Sequence, residues 1–277
     1  MTKPLSILHA SYQIEKILLS IGLTAKGYSK INPRSIFKKN SPKNTLFLNW
    51  QDLTKDVVNI DSYLSQSFDE LGSKEEFLKS IIINRDCNDI SKKKVGEVFE
   101  KVFDYKLNLD PTKYIGNSVV KSNNNGTHDG KIISLPISHK LIEENKVYTF
   151  LVNNIDNKNY AIDYRIPFYG EIANFCYLKK SLKANRFELT NNLVHIVQTK
   201  KIFSTQELSK IDNFCKLMNL DIGEIDCIRD NNSKKIYLID VNKTPTGPTV
   251  ELSIKDKIYA TSELCNLFIK NFCSKII

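Results

Sequence analysis

Three oxygen-bearing side chains lie close together near the carboxyl end of the sequence. Asp226 falls within one apolar run, and Asp240 and Asn242 lie two residues apart in the next. On a β-strand, residues two apart project from the same face. Carboxylate and amide oxygens are hard ligands, and Mg²⁺ takes few protein carboxylates and leaves room for nucleotide phosphates. These residues therefore predict a magnesium site.

A β-hairpin is the element expected to bring the three side chains together. The apolar runs cover residues 222–228 and 236–241, and residues 230–233 between them have the composition of a turn, because Asn and Asp tolerate positive φ. The alternative is a solvated hairpin whose acids face water. The apolar neighbours argue against it, since an unpaired buried carboxylate is costly. An EF-hand is excluded, because no Gly holds the sixth position of an Asp-rich loop.

A polar loop between two strands forms a second candidate site. Residues 118–121 and 131–135 are strand-like, and residues 122–130 between them are rich in Asn and Gly. Backbone N–H groups in such a loop can cover phosphates, and Lys121 at the strand end can point at them. The loop is not a Walker motif, because the required Gly-Lys-Ser/Thr is missing. A plain surface turn is the alternative reading.

Basic residues follow in a third region. Asp163 and Arg165 share one face of a strand that begins a predicted hairpin turning near Tyr169-Gly170-Glu171, and Lys179, Lys180 and Arg186 come next. A guanidinium suits bidentate contacts with oxyanions, while a lysine acts as a point charge. The alternative is that Asp163 and Arg165 form an exposed ion pair, which contributes little to stability.

Taken in order, these features resemble the ATP-grasp fold over roughly 70% of the chain. In that family an acid on one strand and an acid-x-Asn on the next hold magnesium, which implies this role for Asp226, Asp240 and Asn242, with two Mg²⁺ ions. The family usually has Glu where this chain has Asp240. The resemblance also implies an ATP site built from the lid loop and the hinge strand that follows it. Its residues would be Lys121, Ser122, Asn123, Asn125, Gly126, Thr127, His128, Phe150, Leu151, Val152, Asn153 and Asn154.

The resemblance further implies an α+β protein with two α+β lobes gripping ATP between them, preceded by a short N-terminal region. The expected divisions are residues 1–75, 76–146 for the small lobe, and 147–277 for the large lobe. The implied reaction is ATP- and Mg²⁺-dependent joining of a carboxylate to an amine through an acyl phosphate. Arg165, one of Lys179 or Lys180, and Arg186 would contact the phosphoryl group. The alternatives are a kinase acting on a hydroxyl, a nucleotide-binding partner protein without turnover, and an RNA-binding protein.

Composition narrows the class of protein. The 277 residues contain no apolar run approaching a membrane span and no signal-peptide core. The six cysteines include no CxxC pair, so we expect buried reduced thiols and a cytoplasmic location. The net charge of +9 is spread along the chain without an RNA-binding motif. We therefore expect no nucleic acid and no membrane partner, but small-molecule or peptide acids and amines; a homodimer remains open.

The remaining patterns predict scaffold helices. One helix is expected to end near Gly22, one to start at the capping box of Ser73 and run through Ile81, and one to start at Ser91 with Lys92, Lys93 and Lys94 on a solvated face. A further helix is expected to start at the capping box of Ser204, and the last helix is expected to start at Thr261.

Overall fold

The computed structural model describes residues 3–6, 28–31, 46–51, 53–56, 81–187, 193–245 and 247–275. The helices predicted to end near Gly22 and to start at Ser73 lie almost wholly outside these ranges. Two positions are described, and both contradict the predicted helices: Leu5, placed at the start of the first helix, lies in a strand, and Ile81, placed at the end of the second, begins another. The strands, β1 to β12 in order, are Lys3–Ser6, Tyr28–Ile31, Leu46–Leu48, Ile81–Ile83, Gly116–Ser122, Lys131–Leu135, Lys146–Phe150, Tyr160–Tyr169, Phe175–Leu182, Leu193–Gln198, Ile222–Arg229 and Ile236–Asn242.

Four α-helices accompany these strands in the described residues: α1 Lys92–Phe103, α2 Thr199–Ile202, α3 Thr205–Leu217 and α4 Ile254–Asn271. The sequence correctly predicted the start of α1 at Ser91, whose hydroxyl accepts a hydrogen bond from the Lys94 N–H. It also predicted the capping box of α3, where the Ser204 side chain and the Glu207 side chain each bond the other's backbone N–H. None of the described helices is long and apolar enough to cross a membrane.

The predicted start of the last helix at Thr261 was wrong. α4 begins seven residues earlier, because the Ser253 hydroxyl accepts the Asp256 N–H and so caps the first turn. Thr261 and Ser262 lie inside the helix, where Ala260, Leu264 and Phe268 form its buried side.

An antiparallel sheet of five strands, in the order β10-β9-β8-β11-β12, is the centre of the fold. A smaller antiparallel sheet has the order β6-β5-β7, and two parallel pairs, β1-β2 and β3-β4, come from the N-terminal part. The mixture of helices with antiparallel sheets agrees with the predicted α+β class. The predicted hairpin of residues 222–241 is confirmed as β11 and β12.

Side chains alternate across the large sheet, so its two faces have different neighbours. On one face, Ile166, Ile225 and Val241 join the hydrophobic core formed with α1 and α3. On the other face, Tyr169, Tyr177 and Ile222 pack with α4 and with Trp50 after β3. The rest of that second face carries the polar residues described below. All six cysteines are buried as reduced thiols, as the sequence predicted.

Asn84 joins the N-terminal part to the start of β11. It is fully buried, with a positive φ of 57° that Asn tolerates. Its Oδ1 accepts the N–H groups of Asp221 and Ile222 at 2.8 and 2.9 Å, and its Nδ2 donates to the carbonyls of Ile222 and Lys243 at 2.8 and 3.2 Å. One side chain therefore ties the end of β4 to both strands of the predicted metal hairpin.

Candidate functional site

The register of the large sheet brings the acidic residues together. Asp226 of β11 lies directly opposite Asp240 of β12, and Glu224 lies opposite Asn242. Ile239 is the extra residue in a bulge, since Cys227 pairs with Leu238. Directly opposed residues of an antiparallel pair project from the same face. Asp226, Asp240 and Asn242 therefore share a face, as the sequence predicted.

Two cations from the neighbouring strands surround Asp226. Arg165 of β8 makes a bidentate contact, with Nε 2.9 Å from Oδ1 and Nη2 2.9 Å from Oδ2. Lys179 of β9 donates to Oδ1 at 3.0 Å. Loss of water alone would raise the pKa of Asp226, but the charges of Arg165 and Lys179 outweigh that effect and hold its pKa below the ordinary value. Asp226 is therefore an ionised carboxylate across the physiological pH range.

Asp240 has a different electrostatic environment. Removal from water raises its pKa, while the positive charges of Lys92 and Lys121 oppose the rise. Lys121 on β5 donates to the Ile239 carbonyl at 3.2 Å, and loss of water lowers the pKa of Lys121 to about 8, with Asp240 opposing. Asp240 is a desolvated carboxylate beside cations. A bound divalent ion would offset much of the free-energy cost of removing this carboxylate from water.

A cavity of about 740 Å³ opens beside these side chains. Arg165 and the three predicted metal ligands line one wall, and the predicted lid and the N-terminal part line the others. The lining residues are Leu53, Thr54, Lys55, Ile90, Asn124, Asn125, Gly126, Thr127, His128, Arg165, Asp226, Asp240 and Asn242. The lid and the metal hairpin, separated by about a hundred residues of sequence, therefore face one space.

The lid loop between β5 and β6 is fastened over this space. The Asn125 N–H donates to Thr54 Oγ1 at 2.7 Å, and its Nδ2 donates to the Val241 carbonyl at 2.8 Å. At the base of the loop, Asp129 pairs with Lys146 and accepts the Ser122 N–H at 2.9 Å. Gly126 and His128 both have positive φ, which lets the loop turn back within a few residues. The loop is thus held by β12 and by the N-terminal part.

Lys92 corrects the prediction that Lys92, Lys93 and Lys94 form a solvated face. The Lys92 side chain is buried, and its Nζ donates to the Asn124 carbonyl at 2.7 Å. The Lys92 and Lys93 N–H groups at the start of α1 bond to Asn123, through its carbonyl at 3.1 Å and its Oδ1 at 2.9 Å. A run of three lysines gave no sign of this, because only the N-terminal turn of α1 meets the lid.

The predicted hinge lies after β7, which ends at Phe150. Phe150 packs against the rings of Tyr114 and Tyr237, and Val152 is buried. Asn153 contacts the β11–β12 turn, where its N–H donates to Asp230 Oδ1 at 3.1 Å. Asn154 Nδ2 donates to Asp163 Oδ1 at 2.9 Å. Among the described residues, Lys121, Ser122, Asn123 and Phe150 to Asn154 do not line the 740 Å³ cavity.

The structure separates the three cations that were predicted as a group. Lys179 lies beside Asp226, whereas Lys180 projects from the other face of β9 and its Nζ lies 3.5 Å from Asp156 Oδ2. Arg186 meets the hinge, donating to Asn154 Oδ1 at 3.1 Å and to the Val152 carbonyl at 3.4 Å. Arg165 and Lys179 are therefore the two cations that the fold places at the acidic site.

The donor set fits Mg²⁺ better than a softer metal. Two carboxylates and one amide supply only oxygen atoms, and Mg²⁺ characteristically keeps few protein ligands. Within the described ranges, no three or more His, Cys, Asp or Glu side chains are grouped so that they could hold a metal ion. Asn242 Oδ1 is held in place by the Thr244 N–H at 3.0 Å.

Several residues of the site escaped sequence analysis. Glu224 is buried beside Arg165, with Oε2 3.6 Å from Nη1, and burial raises its pKa to about 7 against the opposing charge of Arg165. Its position two residues before Asp226 was the available signal, since that spacing shares a face. Leu53, Thr54 and Lys55 line the cavity from a region whose pattern carried no signal.

Comparison of the sequence with protein-family models and with curated proteins finds no match. Comparison with solved structures finds matches along nearly the whole chain. The ATP-grasp ligase PsnB complexed with a minimal precursor has a TM-score of 0.56 at 11% identity, covering 98% of this chain and 99% of that chain. The VanG D-Ala:D-Ser ligase from Enterococcus faecalis has a TM-score of 0.55 at 10% identity, covering 98% and 99%.

A third similar structure is the D-alanine–D-alanine ligase from Bacillus anthracis complexed with ATP. Its TM-score is 0.55 at 11% identity, and the match covers 100% of this chain and 98% of that chain. Identities this low establish the arrangement of helices and strands rather than the reaction. The described chain therefore has the ATP-grasp fold that its lid, hinge and metal hairpin predicted.

Proposed function

We propose that this chain is an ATP- and Mg²⁺-dependent ligase that joins a carboxylate to an amine through an acyl phosphate. One observation carries the proposal: Asp226 and Asp240 lie opposite each other on adjacent strands, beside Arg165, in a cavity lined by the Asn- and Gly-rich loop. The arrangement combines oxygen ligands for a metal with a cation for a phosphoryl group. Several of the similar structures are ligases, and one of them is complexed with ATP.

Each group of side chains has a distinct task in this proposal. Asp226, Asp240 and Asn242 hold Mg²⁺, which neutralises phosphate charge when bound. Lys121 and the loop residues 122–128 hold the phosphates, and the hinge residues Phe150 to Asn154 hold the nucleoside. Phosphoryl transfer depends mainly on positioning and charge stabilisation, so no side chain needs to act as a covalent nucleophile.

Arg165 and Lys179 are assigned to the transferred group. A carboxylate oxygen of the acid attacks the γ-phosphorus, and ADP leaves. The amine nitrogen then attacks the carbonyl carbon, phosphate leaves, and the nitrogen loses a proton. Arg165 stabilises the oxyanions of both steps through its planar fork, and Lys179 adds a point charge. Arg186, which lies at the hinge in this structure, is assigned to the nucleotide side.

The test is a product analysis with hydroxylamine present as a surrogate amine. The proposed enzyme releases ADP only when an acid is supplied together with an amine, and hydroxylamine converts the acyl phosphate into a hydroxamate. The acids to be tried include amino acids and carboxylate side chains of peptides, since the similar PsnB structure holds a precursor. A phosphorylated hydroxyl product would instead identify a kinase, and ADP binding without turnover would identify a binding protein.

A further inference from the structure

Arg165 lies between two carboxylates of the same strand. Two of its nitrogens, Nε and Nη2, hold both oxygens of Asp226 at 2.9 Å. Its third nitrogen, Nη1, lies 3.6 Å from Glu224 Oε2, which is close enough for charge attraction but long for a hydrogen bond. The guanidinium is thus fully engaged with Asp226 and only loosely with Glu224.

Glu224 has unused capacity to accept hydrogen bonds. Its side chain is 4% exposed, and among the described residues its Oε1 has no hydrogen-bond partner. The hydroxyl of Tyr177, which lies opposite Arg165 in the sheet, is likewise buried without a partner there. A buried carboxylate oxygen without a donor is costly, and nearly all such atoms in folded proteins are paired. A donor is therefore expected at Glu224 in some state of the protein.

Metal binding at Asp226 would create that state. In the structure both Asp226 oxygens accept hydrogen bonds from Arg165, and Lys179 adds a third. A Mg²⁺ ion held by Asp226 would compete for these oxygens and repel the guanidinium, so the contact of Arg165 with Asp226 would weaken. Glu224 lies two residues along β11 on the same face and offers the nearest replacement.

We propose that Glu224 is a positioning residue that receives the Arg165 guanidinium when Asp226 turns to the metal ion. This inference rests on the proposed function, because it requires the Mg²⁺ site at Asp226. The guanidinium carries five N–H donors in a fixed fork, so a small rotation exchanges one carboxylate for the other. The exchange keeps Arg165 charged, paired and beside the cavity while the metal site is filled.

The test measures the affinity for ADP by titration calorimetry with and without Mg²⁺. ADP is the suitable probe, because it lacks the γ-phosphate that Arg165 is proposed to contact. For the wild type, Mg²⁺ should strengthen ADP binding. In Glu224→Gln the strengthening of ADP binding by Mg²⁺ should fall by about tenfold, because a charged hydrogen bond is lost. The affinity for ADP without Mg²⁺ should stay the same.

Two further variants separate positioning from a merely structural role. Arg165→Met alone should increase the strengthening by Mg²⁺, because the competing guanidinium is gone, and in that background Glu224→Gln should have no further effect. The matched control is Glu207→Gln, which removes a carboxylate that pairs with Arg229 at 2.7 Å and does not line the cavity, and it should leave the Mg²⁺ effect unchanged.

The outcomes distinguish the two proposals. If Mg²⁺ has no effect on ADP binding by the wild type, the proposed function fails. If the wild type shows the effect and Glu224→Gln keeps it in full, the exchange of Arg165 is overturned and the proposed function stands. An equal loss in Glu224→Gln with and without the Arg165→Met change would also overturn the exchange. Melting temperatures show whether each variant is folded.

Discussion

Lys243 and Asp56 form an ion pair between side chains that are 0% and 3% exposed, although 187 residues separate them in the sequence. Lys243 Nζ also donates to the Cys87 carbonyl at 3.2 Å, and Asp56 Oδ2 accepts from Asn49 at 2.9 Å. Lys243 follows directly after Asn242, and Asp56 follows the cavity residues 53–55. The pair therefore fixes the hairpin of β11 and β12 relative to the N-terminal wall of the cavity.

We expect Lys243→Met to lower the free energy of unfolding by about 3–5 kcal/mol, because it leaves the Asp56 carboxylate buried without its partner. Urea denaturation followed by circular dichroism measures the change. The double variant Asp56→Leu/Lys243→Met should recover most of the loss, since apolar groups of similar size can replace a buried pair. A single-variant loss below about 1 kcal/mol would contradict this account.

Asp240→Asn should reduce turnover by at least about 100-fold while preserving the melting temperature. The amide keeps the shape of the carboxylate but is a poor ligand for Mg²⁺, and it removes a charge whose desolvation is costly. ADP release and thermal unfolding measure the two effects. Asp212→Asn, which removes a carboxylate paired with Lys216 on the α3 surface, is the control and should keep full turnover. Unchanged turnover in Asp240→Asn would remove the metal assignment.

Lys121 should make nucleotide binding depend on pH. Loss of water lowers its pKa to about 8, and a bound phosphate would raise that pKa again. The contribution of the protonated lysine is therefore complete below about pH 8 and is lost as the pH rises above it, by up to tenfold per pH unit. The affinity for ADP, measured from about pH 6.5 to about pH 9.5, should fall only in the upper part of that range.

Lys121→Met supplies the control for this pH dependence. It should bind ADP more weakly than the wild type at neutral pH, and its affinity should not fall between about pH 8 and about pH 9.5. A wild-type affinity that stays constant over that range would show that Lys121 does not hold the phosphates.

Thr54→Val should speed the release of nucleotide. The hydroxyl accepts the Asn125 N–H at 2.7 Å, and Val keeps its shape without the acceptor. One lost hydrogen bond of about 1 kcal/mol corresponds to roughly fivefold faster dissociation, measured by stopped-flow fluorescence with a labelled nucleotide. Thr205→Val, an exposed substitution at the start of α3, should leave the rate unchanged. Equal rates for both variants would show that this contact does not hold the lid.

The sequence predicted the parts of the site that depend on local patterns. Two apolar runs around a polar turn predicted the hairpin, and two-residue spacing placed Asp240 and Asn242 on one face. It could not choose between Lys179 and Lys180, because that choice depends on the register of β9 against β8. The roles proposed for these residues, and the lobe boundaries at 75 and 146, remain predictions.

Long-range contacts could not be predicted from a single sequence. The pair of Lys243 with Asp56 and the bonds of Asn84 to β11 join residues more than a hundred positions apart. Nothing in the local composition around Asp56 or Asn84 marks them as partners. The burial of Lys92 likewise depends on where α1 meets the lid, and a helical pattern alone describes only which side of α1 faces the core.

The hydrogen bonds of Asn84 indicate which part of the protein would move when a nucleotide is exchanged. They hold the end of β4 against the large sheet, so we expect β4 and the large sheet to move together. We expect the sheet of β5, β6 and β7 to move relative to them. A nucleotide would then be exchanged by lifting the small sheet alone. The wall formed by residues 53–55 would stay in place.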